Sequence, residues 1–151
     1  MKQEIKLVRV DSSETATLKE YVQKLYTFDS KSGATKNIEA GVSSLMTNES
    51  LATPFFIQLN GERVGYVILT KYHSVKKGGL TIFIDELFVE EKARRHGIGK
   101  KVMPEIIEIA KDWGAKTIWA QTEHYHDAAQ AFFRHEGFVR NPNYNYEKPL
   151  L

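Results

Sequence analysis

Apolar and polar positions change their spacing several times along the chain, and each spacing predicts a different element. Residues 5–10 alternate apolar and polar side chains, as a half-buried strand does. A helical stripe follows, and after a polar interval a weaker one runs over residues 38–48. The first stripe comprises Leu18, Tyr21, Val22 and Leu25. The pattern therefore predicts a strand followed by two helices.

The middle of the chain has a strand pattern. Residues 54–72 contain two strand-like runs joined by Asn60-Gly61, a dipeptide typical of a tight hairpin. Residues 80–89 form another apolar run, and a helical pattern then extends through Trp113. A strand over 117–122, a helix over 126–135 and one or two closing strands over 138–150 complete the prediction. This order predicts an α+β (mixed α/β) fold in a single domain, residues 1–151.

Composition excludes several classes of protein. With 151 residues, 42% of them hydrophobic, the chain can build one core, which excludes general disorder. It has no cysteine, so disulfides, thiolate metal sites and a cysteine nucleophile are excluded. A net charge of +2 argues against a nucleic-acid or membrane-surface partner. No apolar run is long enough to span a bilayer and the N-terminus resembles a strand, so we expect a cytoplasmic protein.

Residues 84–102, IDELFVEEKARRHGIGKKV, hold the most informative pattern. A strand leads into Gly97-x-Gly99, and a helix follows. Glycine permits positive φ, and it lets a phosphate approach the backbone N–H groups at the positive end of a helix. Four cations surround the pair: Arg94, Arg95, Lys100 and Lys101. The pattern indicates a pyrophosphate site, although a simple turn with solvated basic residues is the alternative.

Two common phosphate loops do not match this segment. A P-loop requires Gly at position 94 and Ser or Thr at 101, where the chain has Arg and Lys. A dinucleotide fingerprint requires Gly at 102, which is Val.

The segment resembles the acyl-CoA signature of the GNAT acetyltransferases. Arg94-x-x-Gly97-x-Gly99 matches the pattern (Arg/Gln)-x-x-Gly-x-(Gly/Ala), and residues 129–138, AQAFFRHEGF, are similar to the family's Ala-x-x-x-Tyr-x-x-x-Gly-Phe helix. The resemblance implies a GNAT fold, with a mixed sheet of about seven strands flanked by about four helices. That sheet would be splayed at the acyl-CoA site.

The resemblance also implies acetyl-CoA as cosubstrate and no metal. Backbone amides of residues 95–100 would hold the pyrophosphate, and residues 87–89 would pair with pantetheine through their main chain. The residues implied in cofactor binding are Leu87, Phe88, Val89, Arg94, Arg95, His96, Gly97, Ile98, Gly99 and Lys100.

Asp85 and Glu86 are the candidate catalytic residues. The run Asp85-Glu86-Leu87-Phe88-Val89 is similar to one in polyamine-type acetyltransferases, where a carboxylate accepts an amine proton and attracts a cationic substrate. An amine must be neutral to attack, so a nearby carboxylate suits the chemistry. Strand alternation would turn the two side chains to opposite faces, unless a bulge intervenes. The alternative is that one of them is a solvated strand residue.

The proton donor to the leaving thiolate stays open. The family's Tyr corresponds to Phe133, which has no proton to donate, and a frequent basic Glu corresponds to Gln121. The alternatives are Tyr125, Tyr144, Tyr146, His126 or water.

A polar turn before the last helix is the candidate acceptor site. We expect Glu123, His124 and His126 to contact substrate, because this turn would border the acceptor pocket. The alternative is a polar turn in which His126 or Asp127 caps the helix. A metal site at this turn is geometrically possible but disfavoured.

These features predict an N-acetyltransferase that moves an acetyl group from acetyl-CoA directly to a small primary amine. The acceptor would be a polyamine, an aminoglycoside or an amino-acid-like molecule. Alternatives are a protein Lys or N-terminal acetyltransferase, or a non-catalytic acyl-CoA-binding module. The sequence is also compatible with a homodimer.

Overall fold

The computed structural model describes residues 3–28, 32–94, 96–123 and 125–150. They fall into two compact units, Met1–Gln121 and Thr122–Leu151, which are described separately. The class is mixed α+β as the sequence predicts, whereas the single-domain organisation stays a prediction. Within the described ranges, no helix is both long and apolar enough to cross a membrane.

The first unit contains a five-stranded sheet in the order β1-β2-β3-β4-β5. The first three pairings are antiparallel, and β4 and β5 are parallel. Asn60 and Gly61 both have positive φ (51° and 84°), which confirms the predicted tight hairpin between β2 and β3. The strands are β1 (Ile5–Arg9), β2 (Ala52–Leu59), β3 (Glu62–Ser74), β4 (Gly79–Val89) and β5 (Thr117–Ala120).

Three helices cover the two faces of this sheet. Phe56 packs against Tyr21 of the first helix, with ring centroids 6.0 Å apart, and the adjacent Phe55 packs against Trp113 at the end of the third, 6.3 Å apart. Because neighbouring strand residues face opposite sides, these two helices lie on opposite faces. The predicted stripe of the first helix is buried. The helices are α1 (Thr15–Phe28), α2 (Ile38–Leu45) and α3 (Ile98–Asp112), with 3₁₀ turns at Ser12–Glu14, Ser32–Asn37 and Glu91–Ala93.

The second unit contains α4 (Asp127–His135), which is capped at both ends. Nδ1 of His126 accepts a hydrogen bond from the backbone N–H of Ala129 (3.2 Å), so His126 is the N-cap. At the C-terminus, Gly137 has φ 89° and the N–H of Phe138 donates to the carbonyl of Phe133 (2.9 Å). This is a Schellman motif, and the rings of Phe133 and Phe138 form the apolar contact that accompanies it, with centroids 5.2 Å apart.

The predicted closing strands are wrong, and with them the count of about seven strands. The described residues after Phe138 have no strand assignment, and most of their large side chains, including Val139, Tyr144 and Tyr146, are exposed. Pro142 and Pro149 cannot donate to a ladder, which disfavours a regular strand over this range. The described sheet therefore has five strands.

Candidate active site

The site begins where β5 stops pairing with β4. The parallel ladder runs from Thr81 opposite Thr117 to Ile84 opposite Ala120. Beyond Ile84, β4 continues for five residues to Val89, and in the described part of the chain its only strand partner there is β3. The last five of the eleven residues of β4 thus have one open edge, at the position where the resemblance implies a splayed sheet.

The main chain of Leu87 and Val89 points toward this open edge. The N–H of Glu90 donates to the carbonyl of Val64 on β3 (2.7 Å), so the peptide groups of Glu90 point toward β3. Peptide groups alternate along a strand, so those of Leu87 and Val89 point the other way and those of Phe88 point toward β3. Two of the three residues expected to pair with pantetheine therefore present their backbone groups outward.

A bulge separates the paired and open parts of β4. Leu69 of β3 lies opposite Ile84 while Ile68 lies opposite Glu86, so Asp85 is an extra residue. Ile84 consequently shares the face of Leu69, whereas Glu86 shares the face of Ile68, on which α1 packs. Asp85 is exposed and Glu86 is half-buried.

Two tyrosine hydroxyls hold the carboxylate of Glu86. Tyr26 of α1 donates to Oε2 (2.6 Å), and Tyr66 of β3 donates to Oε1 (2.9 Å). Burial, followed by the hydrogen bond and charge of Glu86, raises the pKa of Tyr26; burial and the charge of Glu86 raise that of Tyr66. Both tyrosines therefore stay protonated at neutral pH and keep Glu86 in one orientation.

The predicted pyrophosphate loop ends at the first turn of α3. Gly97 is the N-cap with φ 68°, a left-handed conformation that favours glycine, and no neighbouring side chain or backbone lies within 4 Å of the space a Cβ would fill. The helix starts at Ile98, so the backbone N–H groups of Ile98, Gly99 and Lys100 belong to the first turn, where helical partners are lacking. His96 and Lys100 are exposed, and Arg95 lies outside the described residues.

The side chain of Arg94 makes a hydrogen bond and an aromatic contact within the first unit. Its Nε donates to the carbonyl of Val89 (2.7 Å), and its guanidinium lies 4.0 Å from the ring centroid of Phe28. The side chain is therefore bound to the end of β4 and to the end of α1.

The predicted acceptor residues belong to the second unit. Glu123 accepts a hydrogen bond at its backbone carbonyl from Nε2 of Gln130 (3.1 Å), and His126 caps α4. The capping alternative is thus observed for His126, while substrate contact by Glu123 and His126 stays a prediction. His124 lies outside the described residues. In the described ranges, no group of three or more His, Cys, Asp or Glu side chains is arranged to hold a metal.

Sequence reasoning missed Tyr26 and Tyr66. They lie 60 and 20 residues from Glu86, and each occupies an apolar position of its own element, so local spacing describes both as core residues. Their hydroxyls meet Glu86 only because the bulge turns it toward α1.

Several known structures share this fold. A possible acetyltransferase from Clostridium difficile 630 has 18% identity and a TM-score of 0.81, covering 99% of this chain and 98% of its own. The aminoglycoside N-acetyltransferase AAC(6')-Iy in complex with CoA has 12% identity and a TM-score of 0.78, with 100% and 98% covered. A ribosomal-protein-alanine N-acetyltransferase from Brucella melitensis has 13% identity and a TM-score of 0.70, with 99% and 100% covered.

These likenesses show the fold, and the sequence match shows the family. The sequence model of the acetyltransferase (GNAT) family matches residues 17–138, most of the chain. The protein therefore belongs to the acetyltransferase (GNAT) family and is an acetyl-CoA-dependent N-acetyltransferase.

Proposed function

We propose that this protein acetylates a small molecule with a primary amine, and that the open part of β4 holds the reacting groups. The carrying observation is the pair Asp85 and Glu86 at the bulge where β4 leaves β5. Two adjacent carboxylates there favour a cationic amine over a neutral acceptor. The similar fold of the aminoglycoside N-acetyltransferase in complex with CoA supports a small acceptor.

Acetyl-CoA would bind mainly to the backbone. Its pantetheine arm pairs with the outward groups of Leu87 and with the N–H of Val89, in the way that an added strand pairs with an open edge. Its pyrophosphate takes the N–H groups of Ile98, Gly99 and Lys100 at the start of α3. The left-handed, uncrowded Gly97 supports this placement, because a phosphate can approach the backbone there.

The transfer is direct, since the chain contains no cysteine to accept an acetyl group. The amine nitrogen attacks the thioester carbonyl, the C–N bond forms, the C–S bond breaks, and CoA leaves as a thiolate. The amine loses one proton and the sulfur gains one, so the products are an amide and CoA thiol.

The two carboxylates would have different roles. Both oxygens of Glu86 accept tyrosine hydroxyls, which suits a fixed group that attracts the ammonium. Asp85 is exposed at the bulge and is the proposed proton acceptor, directly or through water. Glu123 and His126 are proposed to contact the acceptor.

A panel of amines tests this function. Polyamines, aminoglycosides, amino acids and Lys peptides are each supplied with acetyl-CoA, and CoA release is measured. We expect turnover with a small cationic amine. Turnover with Lys peptides alone would identify a protein acetyltransferase. CoA binding without turnover on any amine would identify a binding module and contradict the proposal.

A further inference from the structure

Arg94 contacts two separate parts of the first unit, the end of β4 and the end of α1. Its Nε donates to the carbonyl of Val89, the last residue of β4, at 2.7 Å. Its guanidinium carbon lies 4.0 Å from the ring centroid of Phe28 and 5.5 Å from that of Phe88. A planar guanidinium suits this place, because it can donate from its edge while its faces contact aromatic rings.

The surrounding charges do not make this place an anion site. Arg94, Phe28 and Phe88 line a cavity of about 370 Å³ between the end of α1 and the end of β4, together with Lys24, Glu90, Glu91 and Lys92. Lys24 is 3.0 Å from Glu90, and Lys92 is 3.7 Å from the same carboxylate. Both lysines of the cavity wall are therefore paired with the carboxylate of Glu90.

We propose that Arg94 is a positioning residue, which fixes the open edge of β4 for the pantetheine arm instead of binding the pyrophosphate. The carbonyl of Val89 belongs to that open edge, two residues after Leu87, and the hydrogen bond from Arg94 holds it in one direction. This inference rests on the proposed binding of acetyl-CoA along β4.

The contact with Phe28 extends the effect to α1. Phe28 is the last residue of that helix and its side chain is 60% exposed, so its packing on Arg94 is not part of the main core. Removing this ring frees one face of the guanidinium. Phe28, which has no place in the acyl-CoA signature, therefore supports the same cosubstrate edge.

Binding of two probes distinguishes positioning from phosphate contact. CoA contains the pantetheine arm and the phosphates, whereas pantetheine contains the arm alone. Dissociation constants are measured by calorimetry for CoA and by ligand-observed NMR for pantetheine. Arg94→Met removes the donor and the charge, Arg94→Gln keeps an N–H donor without the charge, and Phe28→Ala removes the ring. Lys24→Gln is the matched control, one turn earlier on the same helix face.

We expect Arg94→Met to weaken both probes by about tenfold, and Arg94→Gln to restore both to within about threefold of the wild type. Phe28→Ala should weaken both by about threefold, and Lys24→Gln should change neither, since an exposed ion pair contributes little. Phe28→Ala also keeps the test decisive if Arg94→Met does not fold.

A different result would be that Arg94→Met weakens CoA binding but leaves pantetheine binding unchanged, and that Arg94→Gln binds CoA as weakly as Arg94→Met. That result would show that the charge binds phosphate and would overturn the positioning role. Unchanged binding of both probes in Arg94→Met would also overturn it. A wild-type protein that binds neither probe would instead overturn the proposed cosubstrate site itself.

Discussion

The two parts of β4 differ although they belong to one strand. From Thr81 to Ile84 the strand has β3 on one side and β5 on the other, and three of these four residues are buried. From Asp85 to Val89 it keeps β3 alone in the described structure, and only Phe88 is buried. The first part is paired on both sides, and the second has one edge that no strand of the described residues pairs with.

One extra residue produces much of this difference. The bulge at Asp85 interrupts the alternation, so Glu86 and Phe88 face α1 while Ile82 and Ile84 face the other side. A regular strand would place all four on one face. The bulge therefore brings a carboxylate to two tyrosines and marks the point where pairing with β5 ends.

The largest expected effect comes from the bulge residue itself. Asp85→Asn should lower kcat by roughly 10²–10⁴, because the amide cannot accept the amine proton. CoA affinity should persist, since the cosubstrate contacts main chain there. Steady-state kinetics across pH, with kcat and KM separated, measure the effect. Glu86→Gln is the matched variant and should mainly raise KM. Wild-type kinetics in both variants would remove the pair from the site.

Gly65 of β3 packs closely against the open part of β4, so we expect a larger residue at this position to lower stability strongly. A Cβ at Gly65 would overlap the carbonyl oxygen of Phe88, a backbone atom that cannot move aside alone. Gly65→Ala should lower the free energy of unfolding by about 1–3 kcal/mol, as overpacking does. Urea denaturation measures it.

Gly41→Ala is the control for this substitution. Gly41 lies within α2 with no neighbouring atom within 4 Å of its Cβ position, so alanine should leave stability unchanged or raise it by up to about 1 kcal/mol. Equal stability of the two variants would show that β3 and β4 separate easily.

The loop after the open part predicts an effect on CoA affinity. Gly97→Val should raise the CoA dissociation constant at least tenfold, about 1.4 kcal/mol, because the side chain blocks the approach of phosphate. Gly114→Val is the control, since Gly114 also has positive φ (81°) and open space but lies at the other end of α3. Calorimetry compares the two. An equal loss in both would assign the effect to backbone strain.

The tyrosines around Glu86 predict a pH dependence of stability. Since burial raises the pKa of Tyr66 above its usual value near 10, the folded state keeps a proton that the unfolded state loses. The contribution of Tyr66 to the free energy of unfolding should be fully present below about pH 10. Above that pH it should fall, by at most about 1.4 kcal/mol per pH unit. Urea denaturation at pH 8 to 11 measures the slope, which Tyr66→Phe should reduce. A slope that Tyr66→Phe leaves unchanged would contradict this origin.

The smallest effect is expected outside β4. Phe133→Tyr restores the hydroxyl typical of the family, but Phe133 packs against Phe138 in the helix cap. We expect kcat to change by less than about threefold, as measured by CoA release. A gain above tenfold would show that thiolate protonation limits the wild-type rate.

Most of the elements could be predicted from local spacing in the sequence, and so could the left-handed turn at Gly97. Helical and alternating spacings located α1 to α4 and β1 to β5, and Asn60-Gly61 located the hairpin, because these signals depend on residues close together in the chain. The same holds for Gly97, whose left-handed φ at a strand-to-helix junction follows from its residue type.

The surroundings of the two carboxylates depend on contacts between distant segments of the chain. The bulge at Asp85 follows from how β3 and β4 pair, the open edge from where β5 ends, and the bonds from Tyr26 and Tyr66 from packing across 60 and 20 residues. The expected closing strands over 138–150 were wrong for the same reason, since local spacing does not show whether a segment pairs with another strand. Spacing determines which face a residue can occupy, but pairing between distant segments determines what it meets there.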